Sequence, residues 1–239
     1  MTPRVVSLVP SATETLIALG VTPIACTRFC EQPGIPHVGG TKDPDVAGIA
    51  LLKPDLVVVN DEENRFDDVD RLKRLGLPLH EMSPRSVAQV GPAVVALARA
   101  VEATPPEPFS AWGAWMGERG HLGRGQPRRA FVPVWRRPWM TLAGDTYGSS
   151  LLHLLGHRNV FTGHGTRYPV VTLAEAAARG PHVVLLPTEP YPFAARHVPE
   201  VEQGIPGVPV MLVDGRDLFW WGIRTPAAVD RLAAVLTRA

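Results

Sequence analysis

Short all-apolar runs alternate along this chain with stretches whose apolar residues recur every three or four positions. Positions 5–9 (VVSLV) predict a strand, 24–26 a short second one, and 56–59 (LVVV) a third after Lys53-Pro54-Asp55. The spacing predicts a helix over 11–19, with Ser11 and Glu14 placed as a capping box and Gly20 as the stop. A helix over 64–75 carries Phe66, Val69, Leu72 and Leu75 on one face and closes at Gly76. A strand over 77–82 and a helix over 86–101 follow. Continuous apolar strands that feed helices predict a parallel sheet covered on both faces.

Pro105, Pro106 and Pro108 interrupt this pattern. Residues 107–116 have helical character, with Trp112, Trp115 and Met116 clustered, and Gly117, Gly120, Gly123 and Gly125 come after. The same grammar then resumes: a strand over 130–134, a helix over 148–155 stopped by Gly156, strands over 183–186 and 208–213, and a closing helix over 226–236. LIALGVTPIACT from Leu16 resembles LLHLLGHRNVFT from Leu151, and LKPDLVVVNDEEN from Leu52 resembles ARGPHVVLLPTEP from Ala178. The expected organisation is an N-terminal α/β lobe over 1–102, a helical connector over 103–127 and a C-terminal α/β lobe over 128–239.

Composition narrows the function. The 24 basic and 23 acidic residues leave a formal charge of +1, which argues against a nucleic-acid partner. With 45% hydrophobic and 20% charged residues the chain can bury a core. The 22 glycines and 25 prolines imply many sharp turns. No apolar run approaches a membrane span, and 5–9 is too short for the apolar part of an export signal. The chain is therefore expected to be cytoplasmic if Met1 is the native start, and periplasmic or otherwise extracytoplasmic if a leader has been removed. Cys26 and Cys30 are expected to be reduced, partly buried thiols. His153 and His157 are four apart but straddle a helix end, so a surface position is expected for them.

In open parallel sheets ligands sit beyond the carboxyl ends of the strands, here in a cleft expected between two lobes. The residues that follow the strands are rich in aromatics and charges. They include Arg28, Phe29 and Cys30; Glu62, Glu63, Asn64 and Arg65; Trp135 and Trp139; Tyr191; and Trp220, Trp221 and Arg224. Aromatic side chains give large contact area at little entropic cost, and arginine pairs with carboxylates or phosphates. Arg28 and Arg224 are the candidate anion partners. Glu62 to Arg65 also read as a helix opening, where acids complement the dipole. The chain contains no G-x-G-x-x-G, P-loop, G-x-S-x-G or H-E-x-x-H. An enzyme with Cys30, Glu62 and Glu189 in the same cleft is the alternative to a binding protein.

VSLVPSATETLIALGVTPIACT from Val6, KPDLVVV from Lys53 and RLGLPLHEM from Arg74 are together similar to the substrate-binding proteins of cobalamin, haem and ferric-siderophore ABC importers. The similarity continues through LLHLLGHRNVF, PHVVLLP and TPAAVDRL, and it is greatest toward the vitamin B12-binding branch. It implies a class III periplasmic-binding-protein-like α/β fold: two lobes, each with a parallel sheet flanked by helices, joined by a helical backbone. It implies that Phe29, Trp139 and Tyr168 are aromatic ligand contacts, with Trp220 and Trp221 matching more loosely. Asn60 and Glu81 stand where the cobalamin binders carry tryptophans. Phe66 and Ala174 stand at the acidic transporter-docking positions, with Asp67 and Glu175 one step along. The implied function is capture of a small metal complex (cobalamin, haem or a ferric chelate) for an ABC permease, by a monomer with no intrinsic cofactor. Whether the protein touches the metal stays open, because Cys30 and the eight histidines lack ligand spacing.

Overall fold

The computed structural model describes residues 3–120, 122 and 125–237. The chain divides into two units. The first holds the chain up to Pro84, Ala88–Trp112 and Trp221–Arg224; the second holds Arg85–Val87, Gly113–Trp220 and the chain from Thr225 onward.

The first unit is built from β1 (Val5–Ser7), α1 (Pro10–Ala18), β2 (Ala25–Cys26), α2 (Val46–Leu51), β3 (Leu56–Val59), α3 (Phe66–Arg74), β4 (Leu79–Glu81) and most of α4 (Val87–Ala100). The strands form one parallel sheet in the order β2-β1-β3-β4. Val6, Leu8, Val57, Val59, Ile49 and Leu72 make its core. Each such aliphatic side chain contributes roughly 1.5–3 kcal/mol when fully buried. Gly20 ends the first helical segment at φ 78°, a left-handed conformation that a side chain would oppose.

The second unit takes α5 (Trp112–Arg119) from Gly113 on, then β5 (Arg128–Phe131), β6 (Pro133–Trp135), β7 (Met140–Thr141), α6 (Tyr147–Leu154) and β8 (His157–Asn159). It continues through α7 (Leu173–Ala178), β9 (Val183–Pro187), α8 (Val198–Gly204), β10 (Val210–Val213), α9 (Gly215–Phe219) and α10 (Thr225–Leu236). Its main sheet is parallel, in the order β10-β9-β5-β8. That is the order of the first sheet, with β5 for β1, β8 for β2, β9 for β3 and β10 for β4. The two resembling sequence pairs fall on matching elements: α1 to β2 with α6 to β8, and β3 with β9. The segment 103–127 contains a 3-10 turn at Phe109–Ala111 and then α5; its residues 121, 123 and 124 lie outside the described residues.

Several local expectations are corrected. Ser11 caps nothing: α1 starts at Pro10, whose missing N–H suits a first helical position, and its N-cap Val9 makes no side-chain cap. The helix after β3 opens at Phe66 rather than in Glu62 to Arg65, and Asp67 and Asp68 fill its first turn. Its four-residue apolar face is half right. Leu72 is buried and Val69 packs on the core, but Phe66 and Leu75 are 81% and 55% exposed. The run 130–134 is not one strand. Pro133 has no N–H for the ladder, and the chain leaves the sheet there to pair β6 with β7 as an antiparallel hairpin. His157 is buried rather than superficial.

Candidate functional site

At the carboxyl end of the first sheet, four segments are laced together by two asparagines. Asn60 ends β3, and its side-chain oxygen accepts the N–H groups of Glu62 and Glu63 at 2.8 and 2.9 Å. Its amide nitrogen donates to Met82 O at 2.9 Å, beyond β4. Asn64 returns the clasp: its oxygen accepts Asn60 N–H at 2.9 Å, and its nitrogen donates to Leu8 O and Thr41 O. Both side chains are buried, so every bond replaces one lost to water. The β3 loop is thereby fixed, and Glu62, Glu63 and Arg65 are carried on it. Lys42 adds a hydrogen bond from Nζ to Glu62 O. Loss of solvation raises the Glu63 carboxyl above the ordinary range, and Lys42 opposes that rise.

Beyond β2 a 3-10 turn, Arg28–Cys30, presents Phe29 with half its surface in solvent. Arg28 lies 4.8 Å over the Phe29 ring and pairs with Asp43 at 2.9 Å. Cys30 points inward, where its sulfur accepts from Thr13 Oγ1 at 3.1 Å and lies 3.2 Å from Thr27 Oγ1. Cys26 lies beside it, and burial together with Cys30 pushes its thiol up to about 12. Both cysteines are free and buried, an interior pair under the turn rather than a surface nucleophile.

The second unit places an aromatic cluster at the corresponding end of its sheet. Trp135 ends β6, is 43% exposed and meets Tyr191 edge-to-face at 5.5 Å. Trp139, in the hairpin turn, stacks on Phe193 at 5.8 Å with planes 5° apart. Tyr191 and Phe193 touch at 4.6 Å, and His197 closes the cluster. Arg136 is clamped beside it by Glu200, with Nε and Nη2 donating to Oε2 at 2.8 and 2.7 Å. Tyr168 is half-buried on the segment whose Arg167 and Pro169 carbonyls accept N–H groups from Ala143 and Thr141 along the hairpin. Phe193, His197 and Arg136 are absent from the candidates read in the sequence. Their signal was the PYPF run after β9 and the Arg136-Arg137 pair after β6.

The remaining candidates part company. Trp220 is half-buried in the second unit, whereas Trp221 is buried in the first. Arg224 belongs to the first unit and donates to both oxygens of Glu14, at 3.1 and 2.6 Å, which ties Trp221–Arg224 onto α1. Ile223 N–H adds a bond to Thr15 Oγ1. Gly222 lies at φ 108°, and a Cβ there would come within 2.3 Å of Thr15 Oγ1. Among the described residues no three of His, Cys, Asp and Glu converge on a metal position.

No family model matches the chain. It is 29% identical over 196 residues to the vitamin B12-binding protein of Yersinia pestis (strain Pestoides F), covering 77% of this chain and 69% of that one. Among solved structures it matches the periplasmic vitamin B12 binding protein BtuF of Vibrio cholerae with a TM-score of 0.81 at 21% identity, over 99% of this chain and 97% of the other. The periplasmic heme-binding protein BhuT in complex with two hemes matches with the same TM-score and identity, over 100% and 99% of the two chains. The fold is that of the B12- and haem-type periplasmic binding proteins. The resemblance read from the opening segment and the order of the elements is thereby confirmed, as is the two-sheet α/β fold class.

Proposed function

We propose that this chain is the substrate-binding component of an ABC import system for a metal-containing ligand: a corrinoid, a haem or a ferric chelate. The observation that carries the proposal is a likeness to both a B12-binding and a haem-binding protein over nearly the whole chain. The loops beyond the sheets support it by exposing aromatic and cationic groups. Phe29, Trp135, Trp139, Tyr168, Tyr191 and Trp220 offer ring faces and edges, and Arg28, Arg65 and the Glu62-Glu63 loop offer polar partners. Arg224 and Asn64 serve this site indirectly, because their side chains already hold α1 and the β3 loop. The metal travels with the cargo, so the chain needs no resident cofactor and runs no reaction of its own. It works as a monomer outside the cytoplasmic membrane and delivers to a permease. No helix among the described residues is long and apolar enough to cross a membrane.

The test is a calorimetric titration of the purified chain with aquocobalamin, haemin and a ferric hydroxamate siderophore. One of the three is expected to bind saturably at one per chain. If none binds with a Kd below about 50 μM, some −6 kcal/mol, the proposal is wrong.

A further inference from the structure

Away from the aromatic cluster, the second unit carries a cavity of about 270 Å³ lined by Arg158, Phe161, Thr162, Gly163, His164 and Arg179. None of these residues belongs to the candidate site. Arg158 is exposed on β8, an edge strand, and forms no ion pair among the described residues. Arg179 follows α7 and lies over the buried Phe161 ring at 4.3 Å. That cation–π contact holds the guanidinium at the cavity wall. The turn between them is tight: Thr162 N–H donates to Asn159 O at 3.1 Å and His164 N–H to Phe161 O at 2.9 Å. His164 Nδ1 lies 3.1 Å from Thr166 N and 3.3 Å from Thr166 O, which holds the ring at the rim of the cavity. The acid whose charge interacts with both Arg179 and His164 is Glu175, and its carboxylate is engaged by Thr172 N–H and the Thr172 hydroxyl. Two guanidinium groups, a hydroxyl and an imidazole thus line a space several times the volume of a water molecule.

We infer that this cavity is a second binding site, selective for phosphate as the free ion or as a terminal phosphomonoester. Guanidinium groups pair with phosphate oxygens in bidentate fashion, and the Thr162 hydroxyl supplies a further donor. The inference is independent of the cargo proposed above.

The test uses the whole chain at low ionic strength, where screening is weak. Inorganic phosphate is titrated by calorimetry, and vesicles containing phosphatidic acid are tested by co-sedimentation. The same is done with Arg158→Gln, an exposed change that leaves the fold intact, and with Arg179→Lys. Saturable phosphate binding weakened at least tenfold by Arg158→Gln supports a site for the free ion. Vesicle binding lost in the same variant supports a headgroup as the source. Absence of both, or binding that Arg158→Gln and Arg179→Lys leave unchanged, overturns the inference.

Discussion

At the scale of single residues, polar side chains in this protein mostly hold positions for others. Asn60 and Asn64 use their amides on each other and on loops from β1, β3 and β4, so the half-buried Glu62 and the exposed Arg65 sit on a braced loop. His157 shows the opposite case. It is buried, Nδ1 sits 3.0 Å from Leu155 O, and Nε2 has no hydrogen-bond partner among the described residues. Burial holds its pKa below the ordinary 6.5, and His80 and His197 are displaced the same way by the same cause. As pH falls below 6.5, the unfolded chain takes up protons that the folded chain refuses. Stability is therefore expected to be greatest above that pH and to decline below it, by at most about 1.4 kcal/mol per pH unit for each histidine. Urea unfolding midpoints of wild type and His157→Gln between about pH 7 and 5 check this. The variant should show a shallower decline, and equal slopes would assign the effect elsewhere.

At the scale of elements, burial decides what the sequence reveals. The LVVV run of β3 is bounded by Lys53-Pro54-Asp55 and Asn60, and its position is legible because every side chain in it wants the interior. β8 reads His-Arg-Asn and has no apolar signal; it exists because β5 offers it a parallel ladder. The short α2 and α7 escape notice because six residues are too few to display a period. In the candidate site, Phe29 and Trp135 were legible as aromatics just past strands. The partners of Trp135 and Trp139 come from residues 191–197, which no local pattern links to the hairpin. Nor could any local pattern place Trp221–Arg224 on α1, since that contact joins positions 210 apart in the chain. A double-mutant cycle tests that docking. Glu14→Ala and Arg224→Ala should each destabilise the protein, with a coupling energy of about 1 kcal/mol, because the pair is partly shielded and bidentate. A coupling of zero would mean that the segment is held by other contacts.

At the scale of the whole molecule, the chain builds one sheet order twice. β2-β1-β3-β4 and β8-β5-β9-β10 are the same topology, and each carries its exposed aromatic groups beyond the carboxyl ends of its strands. That placement follows from parallel sheets, whose loops at one end are free to diverge while the cores stay apolar. The central claim is that the chain binds a metal complex and that exposed rings on these loops contribute to the affinity. The most direct measurement is calorimetric titration of the ligand that the wild type binds into Phe29→Ala and Trp135→Ala. Both rings are about half exposed, so folding should change little. Each variant is expected to bind at least tenfold more weakly, about 1.4 kcal/mol. Unchanged affinity in both variants would contradict the account.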